Sequence, residues 1–149
     1  MIRSEKVGEV VSVGLLLLTA AMLILVGLLY LSTTRIMSYH EIYLGMRHEQ
    51  LPPKVAALLL HAMKTVGALL VGQGVTVGML AIGPFRRREQ WSWLLLVVLC
   101  SVTLIPVLIV NIYVGPSSPW WLTGSLLGFV YVAAALHTPR RAFKNLTKS

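Results

Sequence analysis

The sequence predicts an all-α protein: a four-helix transmembrane bundle with a short extracytoplasmic helix between helices 1 and 2. Of its 149 residues, 56% are hydrophobic and 12% are charged, whereas a soluble domain has about 25% charged residues. Four apolar runs are typical of helices that cross the roughly 30 Å hydrocarbon core of a bilayer. Most of the positive charges lie at the ends of these runs, as in membrane proteins of fixed orientation.

The predicted spans are residues 10–31, 53–85, 91–114 and 120–137, and residues 1–149 form one transmembrane domain. The first run exceeds the roughly 7–15 apolar residues of a secretory signal, so we expect a retained helix. Pro53 begins the second span, and the three arginines at 86–88 follow it. Pro116 and Pro119 mark the turn before the fourth span.

Lysine and arginine are distributed unequally between the two sides of these spans. The N-terminus, the second loop and the C-terminal tail carry two, three and four of them. The first loop together with the first residues of the second span carries three (Arg35, Arg47 and Lys54), and the third loop carries none. Because such residues favour the cytoplasmic side, we expect a multi-pass protein of the cell inner membrane with both termini in the cytoplasm. Anionic lipid headgroups on the cytoplasmic side are then natural partners. The net charge of +8 lacks the interleaved aromatics of a nucleic-acid surface.

The second span is longer than a bilayer needs. A helix over residues 53–85 would measure about 50 Å, whereas the hydrocarbon measures about 30 Å. Lys64 precedes Phe85 by about 32 Å of helix, so its ammonium group can reach the outer interface while residues 53–63 project beyond it. Lys54, His61 and Lys64 share one face of this segment.

The first loop, residues 32–52, is the only connection long enough to build a structured element. Ser38 and Glu41 have the spacing of a capping box, and Gly45 is placed to end a helix in a left-handed turn. We therefore predict a short helix over residues 39–44, lying on the outer surface and packing against the start of the second span.

Small and polar residues of the second span indicate how it packs. Gly67, Gly74 and Gly78 form one stripe, and such residues let helices approach closely in lipid. Packing within the bundle is the favoured interpretation, and homodimerisation is the alternative. Gln73, near the middle of the span, is expected to form a hydrogen bond to a neighbouring helix.

Several side chains that could act as acids, bases or ligands fall on the predicted outer side. Tyr39, His40, Glu41, His61 and Lys64 form a candidate ligand site at the outer interface, and solvated loop residues are the alternative interpretation. His40-Glu41 and His48-Glu49 each begin like the zinc motif His-Glu-x-x-His, but the second histidine is missing from both. We therefore predict no metal, and no motif indicates a cofactor.

The chain resembles a group of small bacterial four-helix membrane proteins that have no established activity. The resemblance rests on Tyr39-His40 with Leu44-Gly45, Leu51-x-Pro53, Lys64 with Val66-Gly67, Pro84-Phe85-Arg86-Arg87-x-Glu89-x-Trp91, and Pro119-Trp120. It implies the four-helix fold and no particular mechanism. Arg88 departs from the pattern, which has glycine there.

These features favour a non-enzymatic protein that binds a lipid or hydrophobic ligand, or that accompanies a larger membrane complex. Two alternatives remain. In a membrane enzyme, Tyr39, His40 and Glu41 would act as acid–base or ligand groups and Lys64 would hold an anionic substrate. A small transporter or channel would assemble as a homo-oligomer through the glycine stripe.

Overall fold

The protein is helical throughout the part that the structure describes. The computed structural model describes residues 2–137, and within them it contains five α-helices and no strand, which confirms the all-α prediction. The helices are α1 (Ile2–Ser32), α2 (Ser38–Leu44), α3 (Pro53–Leu80), α4 (Gln90–Val114) and α5 (Trp120–His137). The four cations of the C-terminal tail lie outside the described residues.

Three of the helical segments are long and apolar enough to cross a membrane: Val7–Ser32, Pro53–Phe85 and Trp91–Val114. A further apolar helix, Trp120–Leu136, is shorter. Helix α1 begins at Ile2, before the apolar run that starts at residue 10. Lysine and glutamate in this first part are good helix formers, so the helix extends beyond the segment that hydropathy alone marks.

Glycines bring α1 and α3 into backbone contact. A Cβ atom on Gly27 would lie 2.6 Å from the carbonyl oxygen of Gly67, and one on Gly67 would lie 2.8 Å from that of Gly27. About two turns along, a Cβ atom on Gly74 would lie 2.8 Å from the carbonyl oxygen of Ala20. The contact at Gly78 is looser, since a Cβ atom there would lie 3.6 Å from the Ala20 Cβ atom. The glycine stripe of α3 therefore packs against α1 within the same chain.

Helices α4 and α5 form a second antiparallel pair that is linked by polar side chains. The Asn111 amide donates a hydrogen bond to the Thr123 hydroxyl at 3.1 Å, and the hydroxyls of Ser101 and Tyr131 lie 2.8 Å apart. Helix α5 also packs along α1. In lipid, such hydrogen bonds each contribute about 0.6–2 kcal/mol to helix association.

The two pairs enclose a shared apolar core. Its largest fully buried side chains come from the segments of all four long helices: Leu16, Leu23, Val77, Phe85, Leu96, Cys100 and Val130. Helices α3 and α4 contact each other only sparsely, and the Gln73 amide donates to the Thr103 hydroxyl between them. This hydrogen bond confirms the expectation that Gln73 bonds to a neighbouring helix.

The connection from α3 to α4 forms the arginine end of the molecule, defined by residues 86–88. A π-helical turn, Ala81–Phe85, closes α3, and Gly83 within it has φ −95° and ψ −105°. Arg88 has a left-handed backbone, with φ 60°, and its guanidinium pairs with the Glu9 carboxylate of α1 at 2.8 Å. A left-handed residue other than glycine costs about 1–2 kcal/mol, so the backbone at this position favours glycine.

Candidate functional site

The loop end of the molecule, defined by residues 33–52 and the helix ends that flank them, carries the predicted site. Helix α2 stops at Gly45, which has the left-handed φ of 63° expected of it. The predicted capping box is wrong. Ser38 is already helical, the cap is Met37, and the Glu41 carboxylate instead accepts the backbone N–H of His48 at 2.9 Å. Glu41 thus ties α2 to the turn that follows it.

Tyr39 connects this short helix to α1. Its hydroxyl forms a hydrogen bond with the Tyr30 hydroxyl near the end of α1, and its ring centroid lies 4.0 Å from that of His40. Burial raises the pKa of Tyr39, and the hydrogen bond with Tyr30 raises it further. Burial also lowers the pKa of His40. Both side chains are therefore held in their neutral forms.

Each of the two loop histidines has a buried nitrogen without a partner. The Nδ1 atoms of His40 and His48 form no hydrogen bond within the described part of the chain. Among the same residues, no group of three or more histidine, cysteine, aspartate or glutamate side chains is arranged to hold a metal ion.

The second loop carboxylate, Glu49, is bound at the surface. The Arg35 guanidinium forms an ion pair with it. A hydrogen bond from its own backbone amide lowers the pKa of the Glu49 carboxyl, and the charges of Arg35 and His48 lower it further. With Glu41 bonded to the His48 amide, both carboxylates of this end have partners inside the loop.

His61 and Lys64 belong to α3 rather than to the loop. Both are exposed, and no hydrogen bond, ion pair or ring contact within residues 2–137 joins either side chain to Tyr39, His40 or Glu41. A common ligand for all five side chains stays a prediction.

An apolar groove runs along the loop end of α1. It has a volume of about 420 Å³ and opens sideways, and its lining residues are Leu25, Leu28, Leu29, Leu31 and Ser32. Among the described residues, its lining comes from α1 alone. The exposed Ser32 is the polar residue at the loop end of this apolar groove.

The sequence did not reveal Tyr30 or the groove. Tyr30 was recognisable only as an aromatic residue at an interface, since a hydroxyl pair depends on how the loop folds back. The groove depends on which side of α1 is left uncovered by α3 and α5, and hydropathy does not contain that information. Comparison with models of protein families, with curated proteins and with solved structures gives no match.

The tyrosine pair leads to a prediction about alkaline pH. Because the raised pKa favours neutral Tyr39 in the folded protein, its contribution to stability is complete below the ordinary value of 10.0 and is lost as the pH rises above it. Absorbance of tyrosinate should therefore show a component that ionises late, and Tyr39→Phe should remove it. Tyr43→Phe, an exposed substitution on the same helix, should leave it in place. A late component that survives Tyr39→Phe would contradict the assignment.

Proposed function

We propose that this chain is an integral membrane protein with four crossings that holds a lipid against its helices and catalyses no reaction. The single observation that carries the proposal is the apolar groove on α1, which has the polar residue Ser32 at its loop end. A groove of this kind in the membrane offers the two surfaces that a lipid requires, an apolar side for the acyl chain and a polar group near the interface.

The fourth crossing is α5. Its 18 residues make about 27 Å of helix, slightly less than the hydrocarbon thickness, and a bilayer adapts to such a difference by thinning locally. Its hydrogen-bonded packing against α4 supports the same depth for both helices. Exposed Trp120 and Trp121 at its start are suited to a membrane interface.

Orientation follows from the distribution of lysine and arginine along the sequence. Nine of them belong to the two termini and the arginine end, and four belong to the first loop and the start of α3, namely Arg35, Arg47, Lys54 and Lys64. With both termini in the cytoplasm of a cell with an inner membrane, α2 and the groove lie at the extracytoplasmic side. The nine cations face anionic headgroups on the cytoplasmic side.

The contacts at the loop end favour binding over catalysis. A general acid or base must lie within about 2.6–3.2 Å of the atom it serves, or act through one water. Among the described residues, no hydrogen bond, ion pair or ring contact joins Tyr39, His40 or Glu41 to His61 or Lys64, so no direct acid–base pair links the two sets.

Purification in a mild detergent followed by native mass spectrometry tests the proposal. We expect phospholipid adducts on the wild-type protein, and Leu28→Trp should reduce the bound fraction several-fold by filling the groove. Leu18→Trp is the matched control, since Leu18 is similarly exposed on α1 (47% against 51%) and does not line the groove. A wild-type protein without adducts, or equal losses in both variants, would refute the proposal. A second protein retained in place of lipid would instead indicate an accessory subunit of a larger complex.

A further inference from the structure

A second cavity, the loop cavity, is lined by α2 and by the turn that follows it. It has a volume of about 350 Å³, and its lining includes Ser38, Glu41, Ile42, Met46, Arg47 and Gln50. Glu41 and Ile42 lie three and four residues after Ser38, so one face of α2 forms one wall. The chain reverses at Gly45, and the residues after it form the other wall. The loop cavity shares no lining residue with the groove of α1.

Two opposite charges line the loop cavity without neutralising each other. No ion pair joins the Glu41 carboxylate to the Arg47 guanidinium group, and within residues 2–137 neither group pairs with another charged side chain. The ion pair of this loop is formed by Arg35 and Glu49, and neither of these lines the cavity. The cavity therefore offers one negative and one positive group to a molecule that enters it.

Local hydrogen bonds fix the carboxylate and the turn that carries Arg47. The Glu41 Oε1 atom accepts the backbone N–H of His48 at 2.9 Å. A carboxylate can accept about four hydrogen bonds, so Glu41 can still accept N–H groups from a ligand. The Arg47 backbone N–H donates to the Gln50 Oε1 atom at 2.9 Å. The side-chain NH2 group of Gln50 is thus left as a further donor in the lining that it shares with Arg47.

This set of groups indicates the chemistry of the ligand. An arginine guanidinium group binds phosphate oxygens through two parallel N–H bonds, and a carboxylate forms charge-assisted hydrogen bonds with an ammonium group. A phosphoethanolamine group carries both partners, a phosphate and a primary ammonium. A choline headgroup has the same charges, but its quaternary nitrogen has no N–H to donate to Glu41. A glycerol headgroup has no cation.

The surroundings of the loop cavity favour a lipid as the source of this group. The hydroxyl pair of Tyr30 and Tyr39 holds the start of α2 against the end of the apolar segment Val7–Ser32, so α2 lies near the membrane interface if that segment crosses the bilayer. Ile42 and Met46 are exposed and belong to the lining. They supply apolar surface for the part of a lipid next to its headgroup.

We propose that the loop cavity binds a phosphoethanolamine group, with Glu41 accepting hydrogen bonds from its ammonium and Arg47 holding its phosphate. The headgroup of phosphatidylethanolamine and soluble O-phosphoethanolamine both carry this group. The site goes beyond the proposed function, because it uses no residue of the groove of α1 and stands whether or not a lipid is bound there.

Lipid competition measured by native mass spectrometry tests the role of Glu41. The full-length protein is titrated in one mild detergent with phosphatidylethanolamine, phosphatidylcholine and phosphatidylglycerol, and it should bind phosphatidylethanolamine most tightly. Glu41→Gln keeps an oxygen for the His48 N–H and removes the charge, so it should reduce the preference over phosphatidylglycerol by up to about fivefold. Glu49→Gln, which changes an exposed carboxylate outside the cavity, should leave the preference unchanged.

A second pair of variants tests the phosphate contact. Arg47→Gln should weaken the binding of phosphatidylethanolamine by a similar factor, and raised salt should weaken it in the wild-type protein. Arg35→Gln is the matched control, since it removes an exposed cation of the same loop that does not line the cavity. The preference for phosphatidylethanolamine should persist in Leu28→Trp, whose groove on α1 is filled.

The outcomes separate the loop cavity from other sites. Equal binding of the three lipids, or equal effects of Glu41→Gln and Glu49→Gln, would refute the proposal. Loss of the preference in Leu28→Trp would assign headgroup recognition to the groove and overturn it as well. Displacement of the lipid by O-phosphoethanolamine at comparable concentration would support the site and identify the soluble molecule as its ligand. Displacement by inorganic phosphate or glycine alone would show that the two charges do not act together, which contradicts the proposal.

Discussion

Alanine at Gly27 is expected to destabilise the protein by about 1–3 kcal/mol, the range for overpacking a tightly packed position. A Cβ atom there would lie 2.6 Å from the Gly67 carbonyl oxygen and 2.9 Å from the Val71 backbone nitrogen. Because these are backbone atoms, the steric clash can be relieved only if α1 and α3 move apart along their whole crossing. Gly67→Ala, which faces the same contact from α3, should have an effect of similar size.

Each substitution has a matched control on its own helix. A Cβ atom at Gly14 of α1 or at Gly72 of α3 would have no neighbouring atom within 4 Å. Alanine at these positions should be neutral or should stabilise the helix by up to about 1 kcal/mol, since alanine has the higher helix propensity. The measurement is the unfolding transition of the purified protein in mixed detergent. Equal stability of Gly27→Ala and Gly14→Ala would show that α1 and α3 do not cross as described.

Labelling of single cysteines from outside the cell should show on which side of the membrane each loop lies, because a position is either labelled or protected. Cys100 is fully buried and is replaced by serine to provide the background. A cysteine at Tyr43 in α2 should react with an impermeant maleimide added to intact cells, and one at Arg87 should react only after the membrane is permeabilised. Both positions are exposed in the structure, so differences in reactivity report the side of the membrane.

A second pair of cysteines tests the fourth crossing. Ser117, exposed in the turn between α4 and α5, should be labelled from outside like Tyr43. A cysteine at Ser149, the last residue of the sequence, should be protected like Arg87 if α5 crosses the bilayer. Labelling of Ser149 from outside would reduce the crossings to three, and the reverse pattern at Tyr43 and Arg87 would invert the orientation.

Features that depend on composition or on one local conformation could be predicted from the sequence. The long apolar runs predicted the three helices that can cross a membrane, since burial in lipid requires hydrophobic side chains over a set length. Gly45 ends α2 because few other residues tolerate its positive φ. Gln73 found a partner on α4 because a polar side chain facing lipid is unfavourable.

Features that depend on which of several competing partners a side chain contacts could not be predicted from the sequence. Glu41 has the spacing to cap its own helix, yet its carboxylate binds the amide of His48. The expected packing of α2 on the start of α3 depends on such a choice as well. The structure connects α2 to α1 through Tyr30 and Tyr39, and the described residues show no extensive contact between α2 and α3.

At Arg88 the local conformation can be set against the side-chain contact. The left-handed backbone costs about 1–2 kcal/mol, and an exposed ion pair such as that with Glu9 returns about 0–1 kcal/mol. The ion pair therefore offsets part of the backbone cost. The arginine also adds a third adjacent cation to the loop that we place in the cytoplasm, where such residues favour this orientation.

The pairing of α1 with α3 and of α4 with α5 also bears on how the nascent chain matures. The tightest helix contact uses only residues from the first part of the sequence, because Gly27, Gly67 and Gly74 have all been synthesised before α4 begins. The first hairpin can therefore close in the bilayer while translation of the second continues. Helices α4 and α5 then arrive at a preformed surface.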